Sequence, residues 1–262
     1  MPFELDTRQR AMLQEMGVRV WLPESGVAVL ARAASAMPVA TPAAKVPPAA
    51  QPNRLAPAQP APSPAALSAA GLDWSALRDA VQSCQACALC AARTHPTLVP
   101  PPDAAGPCDW MVVGDPPDED EDRAGAPFAG QDGVLLDNML RALGAQNAYR
   151  SNVLKCRTAH GAIAQAAELA QCAAYLQREI ALVQPKIILA MGRFANQVLL
   201  GQTPELAGLP LGRLRGTVHR YQGVPVVVTY PPKLLMRNGA DKAKAWADLC
   251  LAAATLEAKL GA

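Results

Sequence analysis

Apolar runs and helical patterns alternate along this chain from about residue 71 to its last residue, 262. Apolar runs typical of buried parallel strands occur at 111–114, 152–155, 187–192 and 224–230. Helical periodicity fills the intervals, at 74–83, 133–143, 165–183, 193–200 and 241–258. This alternation predicts an α/β fold in residues 71–262, a three-layer sandwich with a central, mostly parallel sheet. Sites in such sheets lie beyond the carboxyl ends of the strands.

A different composition sets residues 34–70 apart from that domain. The segment has nine prolines, consists mostly of small residues, and lacks an aromatic side chain that could nucleate a core. We interpret it as a disordered linker in which the prolines favour extended polyproline II stretches.

Residues 1–33 are a short piece with apolar side chains ahead of the linker. Asp6 and Gln9 have the spacing of a capping box, which predicts a short helix. A segment this small cannot bury its own apolar side chains. It therefore packs on its own domain or on a partner protein, and the long linker favours a partner. The side chains expected to bind that partner are Leu13, Met16, Val18 and Trp21.

Four of the seven cysteines have the spacing of a metal site. Cys84 and Cys87 form a CxxC pair, and Cys156 and Cys172 are distant singletons beside predicted elements. Four thiolates suit zinc or an iron-sulfur cluster, and the spacing alone leaves both open. Cys90 follows at the same spacing and is an alternative ligand, whereas Cys108 and Cys250 are expected to be small buried hydrophobes. An odd number of cysteines, without a signal peptide or a long apolar run, predicts reduced thiols and a cytoplasmic location.

The charge pattern does not favour a dedicated DNA-binding domain, because the net charge is only +2. Four basic residues precede the last predicted strand: Arg213, Arg215, His219 and Arg220. They either bind DNA phosphates or form the solvent-exposed surface of a hairpin. The acidic run 118–122 is expected to be a solvated loop.

At the predicted strand ends the chain resembles the family 4 uracil-DNA glycosylases, which carry a four-iron, four-sulfur cluster. The resemblance rests on CQAC at 84–87 with LC and Arg-Thr after it, GDPPDEDEDRAGAPFAGQDGVLLDNML at 114–140, NVLKC at 152–156, Cys172 with Tyr-Leu after it, MGRFANQVLLG at 191–201 and TYPPKLLMR at 229–237. It implies a glycosylase fold and a structural 4Fe-4S cluster, rather than zinc, on Cys84, Cys87, Cys156 and Cys172.

The active-site motifs depart from the family pattern. The family's first motif runs roughly GEAPG, and this chain has Asp115, Pro116 and Asp118 within its GDPPD. Pro116 has no N–H to donate to uracil, and Asp118 replaces a glycine. In the family's last motif, close to TYHPxxLLR, a histidine supports charge on the departing uracil, and Pro231 stands at that position.

Other positions match the family. The resemblance implies that Phe128 stacks on the flipped base and that Asn152 binds its Watson-Crick edge. Alternatively, Phe128 fills the core and Asn152 forms a turn. Lys233 and Arg237 lie where the family's loop wedges into the duplex, so they join Arg213 and Arg215 as possible DNA contacts.

A second resemblance concerns the N-terminal peptide. LQEMGVRVW at 13–21 is similar to the segment by which the psi subunit of the bacterial replicase clamp loader binds the chi subunit. Together the two resemblances favour a catalytically degenerate, glycosylase-like scaffold of the DNA replication machinery. It would bind the chi subunit of the DNA polymerase III clamp loader as a monomer within a larger complex, away from membranes. The alternative is an active family 4 uracil-DNA glycosylase of base excision repair.

Overall fold

The computed structural model describes residues 69–101, 108–159 and 162–260. The predicted N-terminal peptide and all but the last two residues of the predicted linker lie outside this part of the chain. In the described residues, every helix is too short or too polar to cross a lipid bilayer.

Five strands form one sheet in the order β2-β1-β3-β5-β4. The strands are β1 Trp110–Gly114, β2 Tyr149–Asn152, β3 Ile187–Met191, β4 Val218–Tyr221 and β5 Val224–Thr229. The first four strands in the spatial order are parallel, and β4 pairs antiparallel to β5 at the edge. The predicted α/β class with a mostly parallel sheet is confirmed.

Eight α-helices surround the sheet in the described part of the chain. They are α1 Trp74–Gln82, α2 Glu119–Ala124, α3 Gly130–Leu143, α4 Ala166–Val183, α5 Arg193–Leu200, α6 Leu211–Leu214, α7 Pro232–Arg237 and α8 Lys242–Leu260. Single 3-10 turns occur at Ala88–Ala91 and Gly239–Asp241.

Two hydrophobic cores, one on each face of the sheet, follow from the period of two along the strands. On β1, Met111 and Val113 join one core, which includes apolar residues of α1, α4 and α5. Trp110 and Val112 join the other, with residues of α3, α7 and α8. Because both faces are covered, the central strands are apolar throughout, and this is why their positions could be predicted.

The strand predicted at 152–155 is wrong, because β2 is Tyr149–Asn152. Its sequence, YRSN, has no apolar run. The polar side chains of Ser151 and Asn152 are nevertheless buried, because they form hydrogen bonds inside the protein. Val153 and Leu154 are fully buried, but they follow the strand. The basic segment before β5 includes the edge strand β4, which forms an antiparallel hairpin with β5.

A buried ion pair fixes the chain immediately after β2. Lys155 and Glu179 are 1% and 0% exposed, and Nζ lies 2.6 Å from Glu179 Oε2. Nζ also donates to Ser151 Oγ and to the Asn152 carbonyl, at 2.8 and 3.0 Å. Glu179 accepts further hydrogen bonds from the Tyr149 and Ser151 hydroxyls. Every acceptor that faces the ammonium is therefore supplied by β2 or α4.

Lys155→Met should lower the free energy of unfolding by about 3–5 kcal/mol, because it leaves the Glu179 carboxylate buried without its counter-charge. Urea denaturation followed by circular dichroism measures the change. The double variant Lys155→Met/Glu179→Gln should recover much of the loss. Arg123→Ala, which removes two exposed ion pairs on α2, is the matched control and should cost less than about 1 kcal/mol. A Lys155→Met variant as stable as that control would contradict the prediction.

Candidate functional site

A pocket opens at the carboxyl edge of the sheet, where the strands β1, β2, β3 and β5 end. It brings together most of the positions singled out in the sequence. The residues that line it are Asp115, Pro116, Asp118, Glu121, Phe128, Asp132, Asn152, Met191, Pro231, Pro232 and Lys233. One cavity is thus shared by the four positions that depart from the family motifs, by Phe128 and Asn152, which match the family, and by Lys233.

Asp115 holds the start of helix α5 against the end of β1. Its carboxylate accepts hydrogen bonds from the backbone N–H groups of Arg193, Phe194 and Ala195, at 3.2, 2.7 and 3.1 Å. Burial raises the pKa of Asp115, and these N–H groups partly offset the increase. Gly192 permits the contact, because a Cβ there would lie 2.2 Å from Asp115 Oδ2 and its φ is +119°. The Asp115 carboxylate therefore has a structural role, because it connects α5 to the end of β1.

Glu121 organises the side of the pocket opposite α5, although the sequence suggested a solvated loop there. The acidic run instead begins helix α2, and Glu121 is 8% exposed. Oε2 accepts from the Asp118 N–H at 2.8 Å, and Oε1 accepts from the Phe128 N–H at 2.6 Å and from Asn152 Nδ2 at 3.0 Å. Burial raises the pKa of Glu121 against these hydrogen bonds. The spacing of Asp118 and Glu121, a capping box, was the available signal for this role.

Asn152 offers one hydrogen-bonding atom to the pocket. Its Nδ2 donates to the Asp115 carbonyl at 2.9 Å and to Glu121 Oε1 at 3.0 Å, so both of its N–H groups are used. Turning the amide over would place its oxygen against these two acceptors, and this fixes its orientation. Oδ1 is buried and has no hydrogen-bond partner among the residues that the structure describes. The pocket therefore presents a free acceptor that suits an N–H donor of a ligand.

Phe128 lies over the end of β1 in a strained backbone conformation. Its φ is +55°, a region that non-glycine residues rarely adopt. The hydrogen bond from its N–H to Glu121 holds it there. A Cβ at Gly114 would lie 2.6 Å from the Phe128 ring, so only glycine fits beneath it. The ring is thus held at the pocket wall.

Lys233 lies at the mouth of the pocket and pairs with Asp118 at 2.9 Å. The hydrogen bond to Asp118 raises the pKa of Lys233. Partial burial by itself would raise the pKa of Asp118, but Lys233 and the N–H of Glu121 outweigh it and lower that pKa. Both groups are therefore charged near neutral pH.

Comparison with known proteins identifies the family. A model of the Uracil DNA glycosylase superfamily matches residues 103–250, more than half of the chain. The chain belongs to this superfamily. It is 30% identical over 168 residues to the type-4 uracil-DNA glycosylase of Sulfurisphaera tokodaii, covering 62% of this chain and 75% of that protein. The type-4 enzyme of Archaeoglobus fulgidus is 30% identical over 166 residues, covering 61% and 83%. That of Thermotoga maritima is 30% identical over 167 residues, covering 62% and 82%.

This superfamily member also has a second cavity, which five cysteines line. Cys84, Cys87 and Cys90 come from the segment after α1, Cys156 follows β2, and Cys172 lies in α4. The four predicted ligands and the alternative ligand therefore face one space. The other residues that line this cavity are Val81, Ala86, Arg93, Lys155, Gln171 and Tyr175.

The donor set of this cavity fits an iron-sulfur cluster. Four thiolates are a usual ligand set of a 4Fe-4S cluster, and zinc accepts the same set. Among the described residues, no group of three or more His, Cys, Asp or Glu side chains is arranged to hold a metal ion. Burial raises the pKa of the Cys172 thiol to about 12. Arg93 Nη1 donates to Cys156 Sγ at 3.3 Å, a contact that suits a cluster-bound thiolate.

The basic residues considered as DNA contacts differ in their environments. Arg213 and Arg237 are exposed. Arg215 forms an ion pair with the buried Asp248 at 2.8 Å and lies over the Tyr230 ring, so it supports the packing of α8. His219 is held by the Leu214 carbonyl at 2.7 Å. Arg220 is also exposed, so the candidates with accessible charge are Arg213, Arg220, Lys233 and Arg237.

Proposed function

We propose that this protein binds a uracil extruded from DNA and releases it by hydrolysis of the N-glycosidic bond. The observation that carries the proposal is the unpartnered Asn152 Oδ1, buried in a pocket that Phe128 also lines. The alternative derived from the sequence, an active glycosylase, thus has better support than the scaffold, because the three relatives described above are type-4 uracil-DNA glycosylases by name.

Base recognition follows from the chemistry of the pocket. Uracil has an N–H at its N3 position, and a free carbonyl acceptor at the pocket wall pairs with it. Cytosine lacks a hydrogen at N3, so it leaves the acceptor there unpaired, at a cost that gives specificity. The aromatic ring of Phe128 supplies a surface on which a flipped base stacks.

The carboxylates of the pocket have positioning roles in this proposal. Asp115 is engaged by three backbone N–H groups, and Glu121 by two backbone N–H groups and an amide. Neither is a free general base, so catalysis rests on holding the base and stabilising it as it departs.

The protein should release uracil from a single-stranded oligonucleotide that contains one uracil, measured by strand cleavage at the abasic site. Asn152→Ala should slow the release about 100-fold, the scale of losing one preorganised hydrogen bond at a reacting group. Asn147→Ala, which changes an exposed asparagine, is the matched control and should match the parent. Absence of release with excess protein would contradict the proposal.

A second candidate function is favoured by Pro116 and Pro231, which line the pocket and provide neither an N–H nor a charge. In this case the domain binds DNA or a base without cleavage, as a pseudoenzyme scaffold of the replication machinery. Its psi-like peptide at residues 1–33 would recruit the chi subunit of the DNA polymerase III clamp loader. The peptide is also compatible with an active glycosylase brought to the replisome.

The recruitment part of this candidate predicts that the full chain binds purified chi and that Trp21→Ala weakens binding about thirtyfold, the effect of a hot spot of 2 kcal/mol. Calorimetry measures the affinity. Trp74→Ala, which changes a tryptophan of the globular domain, should leave the affinity for chi unchanged. Equal affinities of Trp21→Ala and the parent would exclude the peptide as the binding segment.

We further infer that Cys84, Cys87, Cys156 and Cys172 hold a 4Fe-4S cluster. Such a cluster would supply a structural cross-link between the segment after α1, the end of β2 and helix α4. Arg93, Lys155 and Tyr175 line the same cavity, in which Cys156 and Cys172 are buried and Cys84 and Cys87 are partly exposed.

Protein purified without oxygen should be brown and contain close to four irons per chain. Cys156→Ala should lose the visible absorption and most of the iron, because the cluster loses a buried ligand. Cys250→Ala, outside the cavity, should keep both and is the matched control. Stoichiometric zinc without iron in the parent protein would contradict the cluster.

A further inference from the structure

A residue that departs from the family's first motif contacts a lysine close to a departure from the last motif. Asp118 stands where the first motif has a glycine, and Lys233 lies two residues after Pro231, which replaces the histidine of the last motif. The two side chains line the same pocket and form an ion pair at 2.9 Å. A carboxylate that the first motif lacks and a lysine near the missing histidine therefore lie together in the pocket.

The charge balance of the pocket makes this cation important. Lys233 is the one cationic residue among those that line the pocket, and the acidic ones are Asp115, Asp118, Glu121 and Asp132. When the bond between the sugar C1′ and uracil N1 breaks, its electron pair stays on the base, which departs as an anion. Water then adds to C1′ and loses a proton. An anion surrounded by carboxylates is destabilised unless a cation lies near it.

We infer that Lys233 supplies this positive charge and contacts the departing uracil, in place of the missing histidine; the inference rests on the proposed function. Lys233 lines the pocket, and its half-exposed side chain pairs with Asp118, which places the ammonium beside the space where a base would bind. The raised pKa of Lys233 keeps the group protonated. Arg237, one turn further along α7, does not line the pocket.

The test measures single-turnover base release from oligonucleotides that contain one uracil or one 5-fluorouracil. Lys233→Met should slow uracil release about 100-fold. The loss should be several-fold smaller for 5-fluorouracil, because the fluorine itself stabilises the anion. Lys233→Arg should restore part of the rate, since it keeps the charge. The matched control is Lys186→Met, a half-exposed lysine just before β3, at the opposite edge of the sheet, which should release both bases at the parent rate.

Asp118→Asn separates a charge effect from a structural one. It removes the ion pair but keeps Lys233, so its uracil release should exceed that of Lys233→Met by at least about tenfold. Equal losses in the two variants, with the same size for both bases, would overturn the role of Lys233 and leave the proposed function intact. Absence of release by the parent protein would overturn both.

Discussion

The buried ion pair of Lys155 and Glu179 fixes the short segment 152–156, which contributes a residue to each of the two candidate sites. In the sequence, Lys155 lies between Asn152, which lines the pocket at the strand ends, and Cys156, which lines the second cavity. Its ammonium bonds the Asn152 carbonyl and Glu179 of α4, and its own carbonyl accepts from the Thr97 N–H. Such a pair is costly to desolvate and is tolerated only because every polar partner is in place. The geometry of the pocket amide and of the cysteine therefore depends on one network.

Carboxylates support the pocket in a comparable way. Asp115 binds the start of α5, and Glu121 binds the Phe128 backbone and the Asn152 amide. Asp122, 2% exposed, accepts both hydrogen bonds of the Thr94 N–H, which connects α2 to the chain that follows the cysteine pair. The carboxylates of Asp115, Glu121 and Asp122 accept hydrogen bonds from backbone N–H groups. Asp115 and Glu121 therefore line the pocket as structural groups.

Membership in the superfamily does not by itself establish excision, since one fold supports different functions. Evidence for the proposed chemistry has to come from the site, where Phe128 and Asn152 line the pocket together with Pro116 and Pro231, which provide neither an N–H nor a charge. Lys233, paired with Asp118, is a cation that lines the same pocket. Transition-state charge is a property of the whole pocket, so it can be supplied from a different position.

The sequence by itself determined the fold class, the central strands and the longer helices, because buried parallel strands and amphipathic helices leave regular apolar patterns. It also identified the cysteines that share a cavity and most positions of the pocket, because local motifs and strand ends predict where side chains converge. It misplaced β2, since the buried polar side chains of Ser151 and Asn152 carry no apolar signal. It could not predict the burial of Glu121, the pairing of Lys155 with Glu179 or the meeting of Asp118 and Lys233. These contacts join residues 24 to 115 positions apart, or depend on an environment that distant segments create, and only the tertiary structure decides them.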